Sequence, residues 1–259
     1  MKTMMTVAGS DASGGAGIQA DIKTATALGV YATSAITAIT AQNTMGIRRI
    51  DVLPPEAVEA QMRAILEDIP PDAVKIGMLS SAETIRTVAR CLRDYAGPVV
   101  VDPVLVASSG ARLLEKEALT ALTDCLFPVC DLITPNLPEA AVLLEQERIE
   151  DGDIAQIAAS LAKRYSLAVL VKGGHAEGDA TDVLYDGAIH YFTKPRVEGA
   201  DPHGTGCTLS SAIACYLSLG APLPVAVEKA KEYVYNAIES APNLGSGKAP
   251  LNHMNIGGK

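Results

Sequence analysis

Short apolar runs alternate along the chain with longer segments whose apolar residues recur at helical spacing. The runs Met4 to Ala8, Thr33 to Ile39, Ala73 to Ile76, Val99 to Val101, Leu132 to Thr134 and Leu167 to Val171 predict strands. Between them, Ala16 to Leu28, Pro55 to Asp68, Ala82 to Tyr95, Lys116 to Cys125, Pro138 to Leu144 and Ile154 to Arg164 predict helices. Such a strand-then-helix rhythm builds a mostly parallel sheet with helices on both faces. Beyond Lys172 the rhythm changes. Thr181 to Tyr185 and Ala188 to Thr193, joined across Asp186-Gly187, predict a hairpin, and helices over Gly204 to Leu219 and Leu223 to Ser240 close the pattern. No linker rich in Gly, Ser or Pro and no internal repeat divides the sequence, so a single α/β domain over residues 1–259 is the expectation.

Nearly every predicted strand is followed at once by a polar or glycine-bearing group: Gly9-Ser10-Asp11, Gln42-Asn43-Thr44, Gly77-Met78, Asp102-Pro103, Pro135-Asn136 and Lys172-Gly173-Gly174. Singly, each reads as a turn. Ligands of an open parallel sheet sit beyond the carboxyl ends of its strands, so these groups together predict a site on that edge.

Composition narrows what the site can bind. With 21 basic and 30 acidic side chains the net charge is −9, and there is no Trp and no basic run, which argues against nucleic acid and anionic membrane surfaces as partners. Mean hydropathy is +0.20, yet apolar stretches such as LAVLV and VVV are far shorter than the roughly 20 residues of a membrane span. The opening MKTMMTVAGSD reaches Gly and Asp before a signal-peptide core can develop, so a cytoplasmic location is the default expectation. The five cysteines include no CxxC, and His175, His190, His203 and His253 show no ligand spacing, which argues against disulfides and a zinc site. Any anion must then be held by local dipoles.

Two places could do so. GSDASGGAGIQAD, Gly9 to Asp21, joins the first strand to the first helix; its glycines allow close backbone approach to a ligand, or make a flexible turn. HGTGCTLSSAIACYLSLG, from His203, opens an apolar helix on Gly204, Thr205, Gly206 and Cys207, whose N–H groups could form an anion hole. Cys207 sits where a helix dipole lowers a thiol's pKa, making it a candidate base; the alternative is plain packing. Asp102 and Glu139 could hold Mg²⁺ through waters, or could cap and face solvent; Lys172 could meet phosphate, or be a solvated loop lysine. GSGKA, Gly245 to Ala249, imitates a P-loop tail but has Ala249 in place of the hydroxyl residue and no helix to follow, and reads as a loop.

Taken in order, AGSDASGGAGIQADIKT, AQNT, KIGML, VVDPV, LITPNLPEA, VKGGH and HGTGCTLSSAIA resemble the hydroxymethylpyrimidine/phosphomethylpyrimidine kinases of thiamine biosynthesis, over essentially the whole chain. The resemblance implies a ribokinase-like three-layer αβα sandwich. It also implies transfer of the ATP γ-phosphoryl group to 4-amino-5-hydroxymethyl-2-methylpyrimidine and then to its monophosphate. By position, Gln42 would bond the aminopyrimidine, while Asp21, Met78, Val104 and the Gly9 and Ala16 backbone would line its pocket. Gly204, Thr205 and Gly206 would form the anion hole and Cys207 the base. Asp102 and Glu139 would organise Mg²⁺, and Asn136 and Lys172 would face the ATP phosphates. Relatives of this kind are often dimers, so a homodimer is an expectation of the same resemblance.

Two positions depart from the family pattern: Ala111, where Asp is common, and Pro202, where Thr or Asn is usual. Both bear on loop closure rather than on the reaction. Two rivals remain: a pyridoxal kinase of the same superfamily, against which Gln42 speaks, and a non-catalytic sensor, whose signature would be decay of the anion hole or of the acidic positions.

Overall fold

In a four-residue run such as Ala73–Ile76 or a three-residue one such as Val99–Val101, every side chain is apolar except Lys75, so both faces of the strand need cover. The computed structural model, which describes residues 1–105, 116–146, 154–173, 178–197, 199 and 202–254, supplies that cover as two helical layers. The strands are β1 (Thr3–Asp11), β2 (Tyr31–Asn43), β3 (Gly46–Val52), β4 (Ala73–Ile76), β5 (Val99–Val101), β6 (Leu132–Ile133), β7 (Ala168–Val171), β8 (Ala180–Tyr185) and β9 (Ile189–Lys194). They form one nine-stranded sheet of order β3-β2-β1-β4-β5-β6-β7-β8-β9, in which the run from β2 to β7 is parallel and β3, β8 and β9 are antiparallel.

Alternation along each strand divides the core. Met5, Val74, Val99, Val101 and Ile133 pack against α2 (Pro55–Asp68), α3 (Ala82–Leu92), α4 (Lys116–Ala121), α5 (Leu137–Leu143) and α6 (Ile154–Tyr165). Met4, Ala73, Val100 and Leu132 pack on the other side, against α1 (Gly17–Ala27), α7 (Thr205–Ser218) and α8 (Leu223–Glu239). Each fully buried Val or Leu of this kind contributes ~1.5–3 kcal/mol. Cys215 is one of the small residues of the second layer, while Cys91, Cys125 and Cys130 border the first.

The expected αβα sandwich is therefore present, with two differences. β2 runs four residues beyond Ile39 and turns into β3, a strand absent from the sequence reading. All seven residues of β3 are exposed, so no apolar face announces it; its ladder to β2 holds it. The predicted helix Lys116 to Cys125 divides into α4 and a wider π-helical turn, Leu122–Leu126. Among the described residues, no helix is long and apolar enough to cross a membrane. Because β1 has β2 on one side and β4 on the other, the chain reverses its direction of growth at β1, and a crevice opens there at the carboxyl edge. Ala111, Gly174 and His175 lie outside the described residues.

Candidate active site

The strand-end groups converge at this crevice. Gly9 lies against Met78 so closely that a Cβ on Gly9 would stand 2.9 Å from Met78 Cε. Behind them Gly204, at φ +92°, is the N-cap of α7 and presses on the first glycine-rich loop; a Cβ there would meet the Gly15 carbonyl oxygen at 1.9 Å, so no side chain fits. The first turn of α7 has no acidic residue and no side-chain cap. Thr208 N–H bonds the Gly204 carbonyl at 3.0 Å and begins the helical ladder, so the N–H groups of Thr205, Gly206 and Cys207 precede it.

Gly206 abuts a charged cluster: a Cβ there would lie 3.0 Å from Asp102 Oδ2 and 3.2 Å from Lys172 Nζ. Lys172 Nζ donates to Asp102 Oδ1 at 2.7 Å and stands 4.0 Å from Glu139 Oε2. Burial alone would push the Lys172 ammonium down, but the two carboxylates more than offset this and hold it above its usual range. Burial, with Asp102 adding to it, raises the Glu139 carboxyl. Lys172 is thus no solvated loop lysine, and its charge is already shared with Asp102.

Glu139 is a cap as well. It forms a capping box with Asn136, whose side chain accepts from the Glu139 N–H at 2.8 Å while Glu139 Oε2 accepts from the Asn136 N–H at 2.9 Å; Oε1 takes the Leu105 N–H at 3.2 Å. The Asn136 side-chain oxygen is used by that cap, which leaves its amide NH2 for the expected phosphate contact. The Leu105 bond also restrains Val104, which holds φ +40°, a strained value for a β-branched residue.

The donor set tests whether Mg²⁺ fits. Both Glu139 oxygens take backbone N–H groups, and Asp102 Oδ1 takes Lys172 and, at 3.3 Å, Thr134 Oγ1. Among the described residues no three His, Cys, Asp or Glu gather around one point. These residues fit an ion that keeps its waters and borrows oxygens from phosphates, as Mg²⁺ does, and do not fit an all-protein cage.

Asp21 is moved from the expected pocket wall to the layer beneath it. Its carboxylate is fully buried and accepts from Lys75 Nζ at 2.8 Å on both oxygens, from Thr6 at 2.6 Å and from Ser211 at 2.6 Å. Cys207 needs correction too. Burial, reinforced by the nearby Asp21 and Asp102 charges, pushes its thiol up despite the Lys75 ammonium and the Gly17 N–H. Enclosure outweighs the helix dipole that was expected to lower it.

On the other flank, the Gln42 carboxamide lies 2.7 Å from His203 Nε2, which is 3.2 Å from Asp11 Oδ2. Although burial works to raise Asp11, hydrogen bonds from His203, Ser13 and Ala16 hold it well below the usual carboxylate range. Asp11 Oδ2 accepts from the Gly15 N–H at 3.1 Å and the Ala16 N–H at 2.8 Å, and so shapes the loop. Asp11, Lys75 and His203 were missed as site residues. Lys75 had a readable signal, a cation inside an apolar strand, and Asp11 had another, a serine two residues on, the mark of an Asx turn. GSGKA is a loop as expected, and it straps the site: Lys248 N–H bonds the Thr44 carbonyl and Ala249 O accepts from the His203 N–H, both at 3.0 Å. A hollow of about 760 Å³ between α2 and α3 lies away from this chemistry, and its Arg86 and Arg90 are already paired with Glu117 and Glu59.

A mostly parallel αβα sheet with an uncapped α7 N-terminus beside an Asp–Lys–Glu cluster at the carboxyl ends of β5, β6 and β7 has the architecture of a small-molecule kinase of the ribokinase-like class. The family model described as Phosphomethylpyrimidine kinase matches residues 11–252. A hydroxymethylpyrimidine/phosphomethylpyrimidine kinase from Streptomyces coelicolor is 48% identical, over 96% of this chain and 93% of that protein. The thiamine biosynthesis bifunctional protein ThiED of Geobacter sulfurreducens is 48% identical over 97% of this chain, which spans 52% of that longer protein. The ADP complex of Bacillus subtilis pyridoxal kinase superposes with a TM-score of 0.91 at 33% identity, covering 98% of this chain and 97% of that one. The chain belongs to the phosphomethylpyrimidine kinase family.

Proposed function

We propose that this chain transfers the γ-phosphoryl group of ATP to the hydroxymethyl oxygen of 4-amino-5-hydroxymethyl-2-methylpyrimidine and then phosphorylates the monophosphate to the diphosphate. The observation that carries the reading is the juxtaposition of two unlike flanks: an uncapped α7 N-terminus beside Lys172 and Asp102, and a carboxamide, Gln42, that can donate and accept at once. The family match and the name of the Streptomyces relative support both steps.

In this reading Gln42 holds the aminopyrimidine edge, Met78 and Val104 pack on the ring, and the Gly9 and Ala16 backbone closes its rim. Asp21 supports the floor through Lys75. The hydroxyl oxygen attacks the γ-phosphorus, the bond to the β-phosphate oxygen breaks, and ADP leaves. Thr205, Gly206 and Cys207 N–H groups, with Gly204 shaping their turn, meet the charge that spreads over the phosphoryl oxygens. Cys207, in its thiolate fraction, takes the hydroxyl proton. Lys172 serves the phosphates from its seat on Asp102, and Asn136 positions Glu139. Mg²⁺, held through water by Asp102 and Glu139, would neutralise phosphate charge.

Product analysis with the pyrimidine alcohol, ATP and Mg²⁺ tests the reading: monophosphate, then diphosphate, is expected. The likeness to pyridoxal kinase makes pyridoxal the second substrate to try, and a clear preference for it would overturn the first reading.

A further inference from the structure

The structure sets the Gln42 carboxamide with Nε2 toward His203 and Oε1 toward Thr40, and a half-turn exchanges the two ends within the same space. The surrounding hydrogen bonds select between the two settings. Thr40 Oγ1 stands 3.0 Å from the Ser10 carbonyl and 3.2 Å from the end of the Gln42 amide that faces it. The hydroxyl has one proton for two acceptor contacts, and the shorter one gives it to Ser10. The amide end facing Thr40 must then donate, and is the nitrogen.

The other amide end, 2.7 Å from His203 Nε2, is therefore the oxygen, and Nε2 must carry a proton. Asp11 reaches the same conclusion independently. Its Oδ2, 3.2 Å from Nε2, is a carboxylate oxygen and can only accept. With nitrogen left toward His203, the Thr40 proton would be claimed twice and a bare Nε2 lone pair would face a carboxylate.

We infer that His203 is a positioning residue that sets substrate orientation: its Nε2–H, shared between Asp11 and Gln42, fixes the carboxamide with its acceptor on the His203 side and its donor on the Thr40 side. One lone pair and one N–H then remain for a ligand, in a fixed order. An aminopyrimidine edge, an amino donor beside a ring-nitrogen acceptor, matches that order in one pose only, and the pose decides which ring substituent points at the α7 N-terminus. The backbone of His203 is pinned for the task by the Ala249 carbonyl and by its bridge to Pro250.

This inference rests on Gln42 as the ring reader, and two measurements separate the claims. In the ¹⁵N-histidine-labelled chain without ligand, His203 Nε2, assigned by loss of its signal in His203→Gln, should show a protonated-type shift; a lone-pair-type Nε2 overturns the inference whatever the substrate. In steady-state kinetics His203→Phe should lower kcat/KM for the pyrimidine alcohol about tenfold, the scale of one lost buried hydrogen bond, with the KM for ATP nearly unchanged. His203→Gln, whose amide nitrogen can take the place of Nε2, should recover most of that loss. Equal losses in both variants would mean that shape rather than the donor matters, and would sink the positioning role. If the wild-type chain leaves the pyrimidine untouched, the substrate reading fails while the shift still decides the orientation of Gln42.

Discussion

Two lysines of this chain hold aspartates at 2.7–2.8 Å, and they do different things. Lys75 and Asp21 are both fully buried, and Asp21 is filled by Thr6 and Ser211 as well. Lys172 and Asp102 are 16% and 5% exposed, and Asp102 Oδ2 and Lys172 Nζ look toward Gly206 at the mouth of α7. A saturated pair is scaffold: burial alone would push the Lys75 ammonium down, but Asp21 holds it charged and above its usual range. A pair with spare capacity beside the uncapped start of α7 can, in the proposed reading, exchange partners with an incoming phosphate. The same two residue types thus become floor or machinery according to what else fills their hydrogen bonds.

The sharpest way to break this contrast is to remove one lysine at a time. Lys75→Met strands a buried carboxylate and should cost about 3–5 kcal/mol of stability, read by denaturant unfolding. Adding Asp21→Leu should restore much of it, because the desolvation penalty then disappears with the charge. A double variant no more stable than Lys75→Met alone would show that Asp21 is needed for more than pairing.

Asp102→Asn tests the other pair. It keeps the shape, leaves Lys172 with Glu139 at 4.0 Å, and should lower kcat by ~10²- to 10³-fold while melting close to wild type. A variant that lost stability as heavily as Lys75→Met, with activity intact, would make the two pairs equivalent and end the distinction.

His253 supplies a third buried basic group, one held by Thr208 at 3.0 Å rather than by a carboxylate. Burial pushes its imidazole down from 6.5 to about 4. The folded state therefore holds it neutral, and the unfolded chain binds its proton first as pH falls. Its contribution is complete above pH 6.5 and is lost progressively down to about pH 4, a change of roughly 3 kcal/mol. Melting temperatures measured across that window should fall for the wild type and fall less steeply for His253→Gln.

How much of this was readable follows from the range of the interactions. The alternating layers were legible because each apolar run carries its own burial, and the Asp186-Gly187 hairpin because turn chemistry is local. β3 was not, since its seven exposed residues depend on pairing with β2 rather than on a core face. Gly204 to Cys207 stood out because an uncapped helix start is one contiguous segment. His203 did not: its partners Gln42 and Asp11 are 161 and 192 residues away, and in sequence it is a lone histidine beside a glycine turn. For Cys207 the local signal pointed the wrong way, because the helix dipole is visible in sequence while the enclosing walls are not.

That reversal gives the smallest effect expected and the finest test of the open site. A thiol pushed above its ordinary range carries little thiolate near neutrality, so Cys207→Ala should cost about tenfold or less at pH 7, well short of Asp102→Asn. The sign of the pH dependence follows directly. The base works only when deprotonated, and its ionisation lies on the alkaline side, so kcat of the wild type should climb from pH 7 toward pH 9 and the gap to Cys207→Ala should widen with it. Parallel profiles for the two enzymes would remove the thiolate from the reaction and leave the N–H groups of α7, with Lys172 and Asp102, to carry phosphoryl transfer by positioning and charge alone.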